Sequence, residues 1–175
     1  MNYFADWCIE QHKKTNHFYD DYLPYEFHLR MVHNVFLQFS HLLDDKISLN
    51  KSIHTLRSAC ENAVWGHDLI EDCRISYNDI CIADNAVVAE IIFAVTNEKG
   101  RNRAERANSN YYDGIRKTKG AIFVKLCDRI ANVQYSKLTK SKMFQKYQQE
   151  NDNFIEQLGE HEYGEMVNYL SNLII

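Results

Sequence analysis

Apolar side chains recur along most of the chain at spacings of three and four residues, which is the period of an amphipathic α-helix. The pattern begins at Phe4, and the single proline, Pro24, marks the start of a second helix that we expect to run to about Leu43. One proline and six glycines in 175 residues leave few of the breaks that a β-rich fold needs. The pattern therefore predicts an all-α protein that folds as one helical bundle.

The same period predicts further helices after a loop at 44–51. One of them carries a stripe of small and apolar residues that leads up to His67, and another ends near Thr96. A long helix is expected over 118–135, and a last one over about 161–173. Because no internal repeat or linker separates these segments, we expect a single domain.

Two histidines occupy the apolar stripes of two different predicted helices. His28 lies on the stripe of the second helix and faces inward, whereas His33 points to the side. His67 continues the stripe of the next helix and is followed directly by Asp68. A lone inward histidine is most often a satisfied core residue. Two of them from separate helices favour a metal site, because imidazole and carboxylate groups both bind divalent ions.

His67 opens a stretch that holds three carboxylates within six residues, namely Asp68, Glu71 and Asp72. If this stretch is helical, His67 and Glu71 share one face and Asp68 and Asp72 share another, because residues four apart are neighbours. A buried acidic cluster without a cation is costly, so the cluster predicts a bound cation.

The predicted helix over 118–135 carries a narrow polar stripe beside its apolar one. This polar stripe consists of Lys125, Asp128, Arg129 and Asn132. Asp128 either projects from the helix edge into a cleft or belongs to a surface salt-bridge face, and the pattern does not decide between the two. The polar segment 97–110 is either a solvated loop, which we prefer, or a segment that approaches a phosphate.

Taken in order, these motifs resemble the H…HD…D signature of the HD-domain metal-dependent phosphohydrolases. PYEFH at 24–28 is similar to the "PYxxH" motif of the RelA/SpoT-type hydrolase domains and the small alarmone hydrolases. HDLIED at 67–72 is similar to their "HDxxED" motif, and VKLCDRIAN at 124–132 to their "VKLADRxxN" motif. The resemblance covers about residues 1–158, so we expect one HD-type domain over 1–175.

The resemblance implies an all-helical HD-domain fold that holds one divalent ion, usually manganese. By that resemblance the metal ligands are His28, His67, Asp68 and Asp128. Glu71 and Asp72 would position or deprotonate the attacking water. The residues that it assigns to the substrate are Lys125, Arg129, Asn132 and Tyr147. A mixed set of nitrogen and oxygen ligands suits manganese, iron or zinc.

The implied activity is metal-dependent removal of phosphate or pyrophosphate from a nucleotide, with guanosine 3',5'-bispyrophosphate as the first candidate. One segment departs from the pattern, because 18–23 is acidic and aromatic where these hydrolases usually carry a basic pair that contacts the nucleotide. Tyr19 or Tyr22 would then be the residue that stacks on a base. The alternatives are therefore an HD phosphohydrolase for another nucleotide and a non-catalytic nucleotide-binding HD module.

Composition and charge limit the kinds of partner that we expect for this protein. A net charge of -4 with both signs interspersed gives no support for nucleic-acid binding. The chain has no run of about 18 apolar residues, so we expect no membrane helix, and the acidic N-terminus does not resemble a signal peptide. Five cysteines without a CxxC pair indicate reduced core thiols in a cytoplasmic protein. The apolar face of the last helix packs either on the core or on a second copy, which leaves a homo-oligomer open.

Overall fold

The computed structural model describes residues 2–43, 55–97 and 100–175. The described chain is mostly α-helical, which confirms the predicted all-α class. The predicted loop at 44–51 lies outside the described residues.

The helices follow the predicted order closely. They are α1 (Tyr3–Lys14), α2 (Glu26–Phe39), α3 (Leu56–Gly66), α4 (Leu69–Asp72), α5 (Tyr77–Ala83), α6 (Ala86–Val95), α7 (Arg103–Arg106), α8 (Ser109–Lys117), α9 (Ala121–Leu138), α10 (Lys142–Leu158) and α11 (Gly164–Ile174). A 3-10 turn at Ser40–Leu42 follows α2. At the start of α5, Ser76 and Asp79 form a capping box in which each side chain accepts from the backbone N–H of the other residue.

A short hairpin between α1 and α2 is the one β element of the described chain. Strands β1 (Phe18–Tyr19) and β2 (Leu23–Pro24) pair antiparallel, with Tyr19 opposite Leu23. The turn between them has positive φ angles at Asp20 (51°) and Asp21 (64°). Aspartate tolerates this left-handed conformation better than most residues, which explains why acidic residues form the turn.

Helix α9 is the centre of the bundle and packs against α2, α3, α6, α10 and α11. Its fully buried Phe123 meets Phe36 of α2 and Tyr163, with ring centroids 6.0 and 5.3 Å apart. Burial of one such ring contributes about 1.5–3 kcal/mol. The polar stripe of α9 that contains Asp128 is therefore held in place by a large apolar contact on the rest of the helix.

The last helix packs on its own chain, because Met166 and Leu170 are fully buried against the core. Val167 and Ile174 of the same helix remain partly exposed, and a homo-oligomer stays a prediction. All five cysteines are free, and four of them are buried. Among the described helices, none is long and apolar enough to cross a membrane.

Candidate metal centre

The chain leaves helical geometry between α3 and α4, at Asp68, whereas His67 keeps helical backbone angles. Helix α3 ends at Gly66, Asp68 has φ −104° and ψ 2°, and α4 begins at Leu69. The condition of one continuous helix through 67–72 is therefore not met. Consecutive residues of a helix do not face each other. The break therefore lets the side chains of His67 and Asp68 meet, with Nε2 and Oδ2 2.8 Å apart.

Three of the four predicted ligands bring their donor atoms to one point. Donor atoms of His28, His67 and Asp128 lie within 4.8 Å of one another. The Nε2 atoms of the two histidines are 3.2 Å apart, and Asp128 Oδ1 lies 3.5 Å from His28 Nε2 and 3.7 Å from His67 Nε2. Both histidines are buried, with 2% and 3% of their surface exposed. Two imidazoles and a carboxylate at these separations fit the donor set of a divalent ion.

Asp68 stands at the edge of this group. Its Oδ2 lies 3.7 Å from His28 Nε2 and accepts a hydrogen bond from the hydroxyl of Tyr25. The set of mutually close donors nevertheless consists of the two histidines and Asp128 without Asp68. An ion needs all its ligands at once, so the mutual distances define the donor set better than single contacts do. The assignment of Asp68 as a ligand stays a prediction.

The two imidazoles present the same nitrogen to the centre. His67 Nδ1 lies 2.9 Å from the carbonyl oxygen of Val64, and a donor at Nδ1 leaves the lone pair of Nε2 for a metal. The ring of His28 stacks on Tyr19, with centroids 4.8 Å apart and planes at 11°. The Val64 carbonyl thus fixes the ring of His67 through Nδ1, and Tyr19 packs on one face of the ring of His28.

The electrostatics of the group favour a positive charge at its middle. Burial lowers the pKa of His67, but Asp68, Asp128 and the Val64 carbonyl outweigh burial and raise it to about 9. Burial is the largest influence on the pKa of Asp68 and raises it, but the charge and hydrogen bond of His67 and the charge of His28 together outweigh burial and lower this pKa; burial also raises the pKa of Asp128. Lys125 has the main lowering effect on the pKa of Asp128. Two buried carboxylates that stay ionised are the environment in which a cation is stabilised.

The two predicted catalytic acids lie beside the group and not within it. Glu71 accepts hydrogen bonds from the backbone N–H of Asn97 (2.6 Å) and from its Nδ2 (3.0 Å). Asp72 Oδ2 lies 3.6 Å from His17 Nδ1. Burial, followed by the charges of Asp68 and Glu71, raises the pKa of Asp72 to about 7. The catalytic roles of both residues stay predictions.

A cavity of about 870 Å³ opens beside the group. Three of the four predicted ligands contribute to its wall, namely His28, Asp68 and Asp128. The wall also contains all four residues that the resemblance assigns to the substrate, namely Lys125, Arg129, Asn132 and Tyr147. A cavity of this size is typical of sites for small molecules.

These four side chains already have partners in the cavity wall. Lys125 Nζ lies 3.1 Å from Asp128 Oδ2. The Arg129 guanidinium carbon lies 4.8 Å from the ring centre of Tyr147, a distance typical of cation–π contacts. Asn132 donates from Nδ2 to Asp128 Oδ1 over 2.5 Å. Positive charge and aromatic surface therefore lie on the side of the cavity formed by α9 and α10.

The polar segment 97–110 forms another part of the wall through Asn97, Asn102 and Arg106. Asn102 and Arg106 are also exposed, so both interpretations, a solvated loop and a segment that approaches a phosphate, stay predictions. Lys99 lies outside the described residues.

Sequence reasoning missed a group of rings beneath the centre. His12 is 1% exposed, and its Nδ1 lies 3.2 Å from Nδ1 of His17. Both imidazoles stack on Tyr25, with centroids 4.3 and 4.0 Å from the tyrosine ring. A signal for the burial of His12 exists in the sequence, because it follows Phe4 and Cys8 at spacings of four.

No model of a known protein family matches the chain, and no curated protein gives a significant match to it.

Proposed function

We propose that this protein is a metal-dependent phosphohydrolase that removes phosphate or pyrophosphate from a nucleotide. One observation carries the proposal: donor atoms of His28, His67 and Asp128 converge beside a cavity of about 870 Å³ that also contains the side chains of Lys125 and Arg129. Metal ligands beside positive charge are the arrangement that transfer of a phosphoryl group requires. The resemblance to the HD-domain phosphohydrolases supports the same function.

In this proposal His28, His67 and Asp128 hold a divalent ion, with Asp68 as the fourth ligand. Manganese is the first candidate, and iron or zinc also suit a set of nitrogen and oxygen donors. When bound, such an ion lowers the pKa of a coordinated water and polarises a phosphoryl group.

The protein's own side chains then have separate tasks. Lys125 and Arg129 stabilise the negative charge of the phosphates. Tyr147 offers an aromatic surface to a base, because every base has a face that can stack on a ring. Asp72, with a pKa of about 7, suits the role of a base that takes a proton from water near neutral pH. Glu71 can share that role once it exchanges its hydrogen bonds to Asn97.

Guanosine 3',5'-bispyrophosphate is the first candidate substrate, on the strength of the HDLIED and VKLCDRIAN motifs. A second candidate is another nucleotide. It is favoured by the hairpin, where Asp20 and Asp21 occupy the segment in which the resembling hydrolases usually carry a basic pair. The free cysteines further support a cytoplasmic location, because reduced thiols are typical of that compartment.

The test is release of phosphate and pyrophosphate from a nucleotide panel, with manganese and with a chelator. The panel contains guanosine 3',5'-bispyrophosphate, nucleoside mono- and triphosphates, and dinucleotide cofactors. We expect Asp128→Asn to bind manganese at least about 100-fold more weakly and to lose release with it, because the negative charge of a ligand is removed. Asp152→Asn, which changes an exposed carboxylate of α10, is the matched control.

The outcomes separate the hypotheses. Manganese-dependent pyrophosphate release from the bispyrophosphate alone supports the alarmone hydrolase. Release from a different nucleotide keeps the metal mechanism and replaces the substrate. Manganese binding without release from any compound contradicts the enzyme and favours a nucleotide-binding module.

A further inference from the structure

The hairpin of residues 18–24 lies against the candidate centre, although the sequence gives it no ligand. Tyr19 forms part of the cavity wall, and its ring stacks on that of His28 with centroids 4.8 Å apart. Planes at 11° mean that the tyrosine covers one face of the imidazole. The ring of His28 therefore cannot turn without displacing Tyr19.

The hydroxyl of Tyr19 reaches a second ligand through one intermediate side chain. It donates to Asn132 Oδ1 over 2.9 Å. Asn132 in turn donates from Nδ2 to Asp128 Oδ1 (2.5 Å) and to the carbonyl oxygen of Asp128 (3.0 Å). The ionised carboxylate of Asp128 can only accept hydrogen bonds. The NH₂ group of Asn132 must therefore face Asp128, and its oxygen faces Tyr19. Asp128 Oδ1, the oxygen that Asn132 holds in this way, is also the one that faces the imidazoles of His28 and His67.

Helix α9 also holds the turn of the hairpin. Tyr135 donates to Asp20 Oδ2 over 2.6 Å, and its ring meets that of Tyr19 edge-on at 4.9 Å. Asp128, Asn132 and Tyr135 lie on one face of α9, because they are spaced four and three residues apart. Asp20 of the acidic turn thus binds the hairpin to α9.

We propose that Tyr19 is a positioning residue of the metal centre. Its hydroxyl orients Asp128 through Asn132, and its ring fixes His28. The inference rests on the proposed function, because both residues are ligands of the proposed ion. It gives Asn132 a task in holding a ligand in addition to the substrate contact that the resemblance implies. Groups that orient metal ligands in this way typically change metal affinity by 10–100-fold.

The test uses Tyr19→Phe, which removes the hydroxyl and keeps the ring. Manganese affinity is measured by calorimetry on metal-free full-length protein. We expect binding about 10-fold weaker than in the wild type, because Asn132 loses the partner that orients it. Tyr3→Phe is the matched control, since Tyr3 is 81% exposed on α1, and its affinity should equal that of the wild type.

A double-mutant cycle identifies the route. If Tyr19 acts through Asn132, Asn132→Ala weakens binding, and adding Tyr19→Phe weakens it no further. Unchanged affinity in Tyr19→Phe, or additive losses in the double variant, would overturn the positioning role while the proposed function stands. A wild-type protein that binds no manganese would overturn both, so the two failures are distinguishable.

Discussion

Glu71 has two roles open to it, and its hydrogen bonds to Asn97 make them separable. As a base it would act on a water at the centre, whereas as an anchor it would only hold the segment that begins at Asn97. The anchor role matters for the site as well, because Asn97 forms part of the cavity wall. Removal of the Glu71 carboxylate ends both roles. Removal of the Asn97 side chain weakens only the anchor, because the backbone N–H of Asn97 still donates to Glu71.

We expect Glu71→Ala to retain manganese affinity and to lose about 100- to 10,000-fold in turnover, the range that general acid–base help supplies. Asn97→Ala keeps the carboxylate, so its turnover should fall much less. The measurement is kcat for phosphate or pyrophosphate release beside the manganese Kd of each variant. Equal losses in the two variants would assign Glu71 to anchoring alone.

At the scale of single residues, the sequence predicts which histidines are buried, but it does not predict which partners their neighbouring side chains bond. His28 and His67 were recognised because each continues an apolar stripe, and both are buried. The bond from Tyr25 to Asp68 joins residues 43 positions apart, and no local pattern encodes such a contact. The same signal exists for His12, which continues the stripe of Phe4 and Cys8 and is buried.

At the scale of elements, periodicity predicted most of the helices, but it missed α8 (Ser109–Lys117) and one junction. The apolar stripe of α3 passes on through His67 to the buried Leu69, so the pattern continues although the helix does not. The signal for the junction is Gly66, where an added Cβ would lie 2.6 Å from Ile92 Cδ1. The hairpin was also missed, because two-residue strands are too short to show alternation.

The N-terminus of α9 provides a test at this scale. Gly120 has φ +88°, and an added Cβ would lie 2.7 Å from the Cys60 sulfur, so α9 approaches α3 closely only because this residue is glycine. We expect Gly120→Ala to lower the free energy of unfolding by about 2–4 kcal/mol, from backbone strain and overlap together. Urea unfolding of the wild type and the variant measures this change in the free energy of unfolding.

The control is another glycine of the chain. Gly114 lies within α8, and no described atom lies within 4 Å of an added Cβ. Gly114→Ala should therefore stabilise the protein by roughly 0.5–1 kcal/mol, because alanine favours a helix interior. A neutral effect of Gly120→Ala would mean that α9 can shift at its first turn without cost.

At the scale of the whole molecule, the buried imidazole of His12 links stability to pH. Burial lowers the pKa of His12 from its ordinary value of 6.5 to about 3, and the charge of Asp68 opposes burial only in part. Between these two values the unfolded chain binds a proton that the folded chain does not. The contribution to stability is therefore complete above pH 6.5 and is lost as the pH falls toward 3.

We expect the free energy of unfolding to fall by about 2 kcal/mol between pH 6.5 and 5 through this residue, at roughly 1.4 kcal/mol per pH unit. His12→Leu should show a flatter dependence over that range in urea unfolding at each pH. His41→Gln changes an exposed histidine and should keep the wild-type dependence. Parallel curves for the wild type and His12→Leu would contradict the assignment.

The contacts of Tyr19 and Asp20 with α9 span 113 and 115 residues of sequence. Contacts between such distant parts of a chain form late in folding, because a long loop has to close first. We therefore expect His28 of α2 and His67, which follows α3, to be in place before Asp128 reaches them. During refolding, the ability to capture manganese tightly should appear with the slowest cooperative phase, when the two ends of the site are joined.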